Sequence, residues 1–221
     1  MLMKDKVVII SGIGPGLGVE LALLAAREGA EAVVLAARTA SKLSDAAAQI
    51  AGLGLGTRTL EVPTDIAKPE DCRNLIEKSV AAFGRIDALV NSAYIPGKFG
   101  SWEKWDFDDW RKPLDVNLFG SLTLSREAAK VMKDQPARGA IVMVNSMVTK
   151  QVISAQAGYA TSKGALATAT TAMAQELAPL GIRVNSCFMG WMWGANVKGF
   201  VEGMAAKSGV DPSVVKKGFE K

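Results

Sequence analysis

Histidine is missing altogether from the 221 residues. A Ser-His-Asp triad, a histidine metal site and a histidine general base are therefore excluded within this sequence. Cysteine is scarce: Cys72, on an expected helix, and Cys187, on an expected strand, form neither a metal nor a redox motif. Both read as structural thiols of a reducing compartment. No apolar run reaches membrane-spanning length. The opening Met1-Leu2-Met3-Lys4-Asp5-Lys6 is too charged for a signal peptide. Charge of one sign is scarce too: the net charge is only +4, and no basic run suggests nucleic acid. The expectation is a soluble, cytoplasmic protein without nucleic-acid, membrane or metal partners.

What is present is a chain long enough for a sizeable core, 49% hydrophobic and rich in alanine, as expected of one α/β domain. Strand and helix signals alternate throughout. Lys6-Val7-Val8-Ile9-Ile10 is a short β-branched run that reads as a buried strand. The glycine-rich turn Ser11-Gly12-Ile13-Gly14-Pro15-Gly16-Leu17-Gly18 follows, then helix-forming composition from Val19 to Glu28, stopped by Gly29. Further strands are expected at 32–37, 58–62, 88–91, 140–145 and 183–187. Helices are expected at 41–53 with Ser41 as cap, 69–83, 113–132 and 159–180. This alternation implies a doubly wound parallel sheet of Rossmann type with helices on both faces. Trp105 and Trp110, with acids between them, read as a helix start with a packed face.

Strand, glycine-rich turn and helix form the first half of a dinucleotide-binding unit. Glycines let the backbone approach a pyrophosphate, and a helix N-terminus offers amide donors and partial positive charge. A glycine string alone is weak evidence; the strand before it and the helix after it strengthen it. In such sheets ligands bind at the carboxyl ends of the strands. Gly12, Asp65, Asn91, Ser146 and Gly190 all fall at or just after expected strand ends, on one rim.

The most informative spacing is Tyr159 and Lys163, four apart and so on one helix face, with Ser146 thirteen residues before the tyrosine. A free phenol ionises near pH 10. A neighbouring ammonium favours the phenolate; reaching about 7 takes roughly 4 kcal/mol of differential stabilisation. Ser146 is placed to hydrogen-bond a reacting oxygen. A Tyr and a Lys at helical spacing are commonplace, and alone they describe a half-buried ring beside a solvated amine.

Taken together, these segments resemble the short-chain dehydrogenase/reductase family, from about Lys6 to Gly190. The family's Thr-Gly-x-x-x-Gly-x-Gly loop is matched by Ser11, Gly12, Gly16 and Gly18, with Ser for Thr. Its Ser and Tyr-x-x-x-Lys are matched by Ser146, Tyr159 and Lys163, and its active-site Asn by Asn117. Its adenine-contacting Asp is matched by Asp65, and its Asn-Asn-Ala-Gly by Asn91-Ser92-Ala93-Tyr94. The resemblance implies catalysis by Asn117, Ser146, Tyr159 and Lys163. It implies cofactor contacts from Gly12, Gly16, Leu17, Gly18, Arg38, Asp65, Ile66, Asn91, Ala93, Tyr159, Lys163 and Gly190. Lys163 is expected to bind the nicotinamide ribose, and Asn117 to help hold a water linking Lys163 to solvent. Asn117 also reads as a helix residue bonding neighbouring backbone. A homo-oligomer, dimer or tetramer, is implied as well.

At the end of the second strand an acid would select NAD; Ala37 and Arg38 stand there instead. The arginine favours NADP(H), with NAD(H) the alternative. Pro15, before Gly16, offers neither charge nor an amide donor. The implied activity is interconversion of a secondary alcohol and a ketone by hydride transfer. A non-catalytic cofactor-binding regulator or scaffold, and epimerisation or dehydration, are the other readings. Tyr94, Ile95, Met147, Trp191 and Trp193 suggest an apolar, aromatic pocket for a bulky substrate. For any single one of them, packing of the loop against the body is the better explanation. Met189 and Tyr94 depart from the family's proline and glycine. The expectation is a single domain over 1–221 with a substrate loop or lid from about 189 to 221. Family members continue past this point with another helix, a seventh strand and a tail, so the C-terminal strand and tail are expected to be missing from this sequence.

Overall fold

Val7–Ser11 is buried at every position and forms β1, the strand on which the rest is built. The computed structural model describes residues 1–136 and 138–219, apart from the side chains of Ala195, Asn196 and Phe219. Glu220 and Lys221, the end of the expected lid, lie outside the described residues. The elements after β1 are α1 (Leu17–Arg27), β2 (Ala32–Ala37), α2 (Ala40–Gly52), β3 (Arg58–Pro63), α3 (Pro69–Phe83) and β4 (Ala88–Asn91). Then come α4 (Phe107–Pro113), α5 (Ser121–Met132), β5 (Ala140–Ser146), α6 (Ala157–Leu177), β6 (Arg183–Met189), α7 (Ala195–Ser208) and α8 (Pro212–Phe219).

The strands form one parallel sheet in the order β3-β2-β1-β4-β5-β6. Alternate residues of β1 face opposite ways, as a pleated strand requires. Val7 and Ile9 join Leu75, Leu124 and Leu166 of α3, α5 and α6. Val8 and Ile10 join Ala22, Ala26, Leu43 and Ile50 of α1 and α2. The sheet is thus wound on both faces. The order reverses between β1 and β4, whose last registered pair is Ser11 with Asn91. This is the crevice where an open α/β sheet accepts a ligand.

Two local differences from the sequence pattern matter. The pattern suggests one regular helix over 113–132. The structure instead inserts a π-helical stretch, Leu114–Gly120, between α4 and α5, with Asn117 inside it and wholly buried. Gly120 is what allows this segment to lie where it does, since a Cβ there would stand 2.7 Å from the Ile66 carbonyl oxygen. The other difference is the cap of α2. The helix begins at Ala40 with Thr39 as the capping position, and no side chain caps it, so Ser41 lies inside the helix. The chain divides into two units, residues 1–188 and residues from Met189 on. In the second, Trp191 stacks on Phe200 with centroids 5.8 Å apart, and the Lys216 ammonium sits 4.6 Å from the Trp193 ring centre.

Candidate active site

The glycine-rich turn leaves β1 as a continuation of the sheet. The Gly12 and Ile13 amides donate to the Ala36 carbonyl at 2.8 and 3.1 Å, and the Ser92 amide donates to Ser11 at 2.9 Å. Gly12 has φ +96°, and a Cβ there would lie 2.3 Å from the Ala93 amide nitrogen. Gly18 is closed in the same way by the Gly12 carbonyl oxygen, at 2.2 Å. These two glycines therefore let three backbone segments meet. Gly14 and Gly16 face open space, with nothing within 4 Å of the missing Cβ. Gly16 occupies the capping position of α1 without any side-chain cap, and Leu17 starts the helix. The result is an open cradle at a helix N-terminus, bounded by main chain, which suits an anionic diphosphate.

Around this cradle the structure distributes the expected cofactor residues unequally. Arg38 is exposed at the end of β2, and no ion pair to it is found among the described residues. Asp65 follows β3; its carboxylate accepts from the Ala67 amide at 3.1 Å. Ile66 is buried, and its carbonyl accepts from the Cys72 thiol. Burial of that thiol raises its pKa to about 11, so Cys72 stays protonated. Asn91 is also buried: its amide donates to the Ser125 hydroxyl at 2.8 Å, beneath the rim. The side chains of Ile66 and Asn91 thus turn into the core, where the Asn91 side-chain oxygen has no hydrogen-bond partner among the described residues. Ala93 is half-buried beside Gly12. Gly190, Trp191 and Trp193 belong to the second unit.

Ser146 ends β5 and Tyr159 stands in the first turn of α6, with Lys163 one turn on. Lys163 is only 3% exposed, and its ammonium donates to the Val144 carbonyl at 2.8 Å. Burial pulls its pKa down to about 8. Burial acts on Tyr159 in the opposite sense and raises its phenol; hydrogen bonding with Ser146 lowers it, and the neighbouring Tyr94 raises it further. The expected lowering of the Tyr159 pKa by Lys163 is therefore not what this arrangement produces. The ammonium makes one bond to the Val144 carbonyl, and desolvation is the largest influence on the phenol.

Asn117 carries a set of bonds that sequence reasoning foresaw only in outline. Its side-chain oxygen accepts from the Ile95 amide at 2.8 Å. Its side-chain nitrogen donates to the Ile95 carbonyl at 2.9 Å and to the Ser162 hydroxyl at 3.0 Å. Ser162 in turn donates to the Tyr159 carbonyl at 2.7 Å. One amide thereby ties the loop after β4 to the turn that carries the phenol. Ser162 was missed because its position inside Tyr-x-x-x-Lys looks like filler; its complete burial is a tertiary fact. Tyr94 lies with its ring 6.1 Å from that of Tyr159, and Met147 begins the 3-10 turn after Ser146. Trp105 and Trp110 pack edge to face at 4.9 Å, and with Phe99, Ala155 and Gly158 they line a small cleft beside the start of α6.

A parallel doubly wound sheet, an open glycine cradle at its switch point and a Ser, Tyr, Lys group on the same rim define a dinucleotide-binding α/β protein. The profile of the short chain dehydrogenase family matches residues 6–203. An uncharacterized oxidoreductase of Staphylococcus aureus strain MRSA252 is 33% identical over 187 residues, 84% of this chain and 77% of the relative. Among solved structures, NAD+-bound xylitol dehydrogenase superposes with a TM-score of 0.88 at 30% identity, covering 99% of this chain and 85% of that one. Levodione reductase gives 0.88 at 27% identity, with 96% and 81% covered. The chain belongs to the short-chain dehydrogenase/reductase family of oxidoreductases.

Proposed function

We propose that this protein is an NAD(P)-dependent oxidoreductase that interconverts a secondary alcohol and a ketone, with Tyr159 as general acid and base. The observation that carries this reading is a juxtaposition at the strand-end rim: Ser146 closes β5, and Tyr159 stands one helical turn before Lys163, which is buried with its ammonium on the Val144 carbonyl of β5. A bound nicotinamide supplies or accepts the hydride at the reacting carbon. Gly12, Gly16, Leu17 and Gly18 hold the diphosphate by backbone, with Asp65 and the Ile66, Asn91 and Ala93 backbone along the same rim. In reduction, Ser146 donates to and orients the carbonyl oxygen, and Tyr159 delivers the proton that completes the alcohol. A phenol with a raised pKa is held in the protonated form at neutral pH, the form that can donate. In oxidation Tyr159 must accept the proton, and Lys163, charged below about pH 8, is the group whose charge favours the phenolate.

Arg38 supports NADP(H) as the preferred cofactor, through pairing with a 2′-phosphate; the NAD+-bound xylitol dehydrogenase supports NAD(H) as the alternative. Tyr94, Ile95 and Met147 support a bulky apolar or aromatic substrate. Cytoplasmic location and a homo-oligomer complete the reading. Parallel titrations with NADPH and NADH, followed by nicotinamide fluorescence, test it first. Tighter NADPH binding supports Arg38 in its role. NADH preference removes that role and leaves hydride transfer standing. Binding of neither overturns the enzyme reading.

A further inference from the structure

Tyrosine occurs only twice in the chain, and the two side chains meet at the proposed active site. Tyr94 stands where the family pattern carries glycine, so this neighbour is a feature of the chain rather than of the fold. Its ring is tilted 53° to that of Tyr159, and the Lys163 ammonium lies 6.0 Å from its centre. The placement is built, since Asn117 holds Ile95 by both backbone atoms and reaches Tyr159 through Ser162. Half of Tyr94 remains exposed, which leaves one part of it facing water and the other facing the catalytic pair.

We propose that Tyr94 is a positioning residue whose ring covers the Tyr159–Lys163 pair on its solvent side and keeps both groups dry. A glycine there would leave that side open. Water reaching the phenol would ease formation of the phenolate, and water reaching the ammonium would favour its charge, which favours the phenolate again. The ring thus holds the pair on the protonated-phenol side, the donor state for reduction. Among the described residues, Tyr94 from the loop after β4 and Ser146 from β5 act on the phenol, and Lys163 stands one turn on along its own helix. Desolvation, Ser146 and Tyr94 are the influences that move its ionisation.

The inference rests on the reading of Tyr159 as the acid–base group, but its test does not require turnover. In Tyr94→Phe and Tyr94→Ala, Tyr159 is the sole tyrosine, so its ionisation is read directly from tyrosinate absorbance near 295 nm. Both variants lack the Tyr94 hydroxyl; they differ only in the cover. Tyr159 is expected to ionise about one pH unit higher in Tyr94→Phe than in Tyr94→Ala. Tyr94→Gly, carrying the residue of the family pattern, provides a second ring-less chain and is expected to match Tyr94→Ala. Coincident titrations in all three variants, or the reverse order, overturn the proposal. If the titrations separate while no variant nor the parent transfers hydride, the covering role stands and the enzyme reading falls.

Discussion

Lys163 shows how a single buried charge connects stability to pH. The folded protein holds its pKa at about 8, below the 10.5 of a free lysine. Between those values the unfolded chain binds more protons, so folding gains stability as pH rises through that window. A Lys163→Met chain lacks this gain. The stability advantage of Lys163→Met over the parent should shrink by roughly 2 kcal/mol between pH 7.5 and 9.5, read from denaturant midpoints. A difference independent of pH would mean that the ammonium is hydrated. Tyr159→Phe tests the chemistry at the same scale: turnover should fall at least about a hundredfold, as loss of a general acid does, while cofactor affinity stays within about twofold. Undiminished turnover would remove Tyr159 from the mechanism. Asn117→Ala leaves the half-buried Ile95 amide and carbonyl and the buried Ser162 hydroxyl short of a partner, so it should lower stability by about 1–3 kcal/mol.

Elements meet in this protein where glycines allow them to, and the four glycines of the first turn are not equivalent. Gly12 combines a left-handed backbone with a missing Cβ that would stand against the Ala93 amide. Gly14 has neither constraint. Gly12→Ala should cost about 2–4 kcal/mol and abolish cofactor binding, whereas Gly14→Ala should change stability by less than about 0.5 kcal/mol. Equal effects in thermal melts would show that the β1–β4 crevice is looser than its backbone contacts indicate. The π-helical stretch is the other device at this scale. It sets Asn117 between the loop after β4 and α6, and such insertions recur where a helix must aim a functional side chain.

At the scale of the whole molecule, a ligand that binds only the folded state stabilises it by mass action, about 2.7 kcal/mol at a hundredfold excess over Kd. NADPH should therefore raise the melting temperature more than NADH at equal concentration. Arg38→Asp should reverse that order, because the carboxylate repels a 2′-phosphate and accepts from ribose hydroxyls. An unchanged order in the variant would place the selectivity elsewhere. Among the described residues no helix is long and apolar enough to cross a membrane.

The sequence alone determined the six strands, the two-faced sheet and the strand-end rim, because these follow from local signals. The buried run of β1, proline at the start of α3 and glycine after its end, and strands β2 and β4 all lie where their residues place them. The Ser, Tyr and Lys spacing was legible for the same reason: a helical turn is a local rule. What only the tertiary structure decided involves partners distant in the chain. The π-helical stretch, the bonds from Asn117 to Ile95 and Ser162, the inward turn of Asn91 and the direction of the Lys163 ammonium each depend on which polar groups, backbone or side chain, the fold brings alongside. The sign of the Tyr159 shift belongs to this second group. Spacing shows that an ammonium is within reach of a phenol, but burial decides how both ionise, and burial is known only when the sheet, the loop after β4 and α6 have come together.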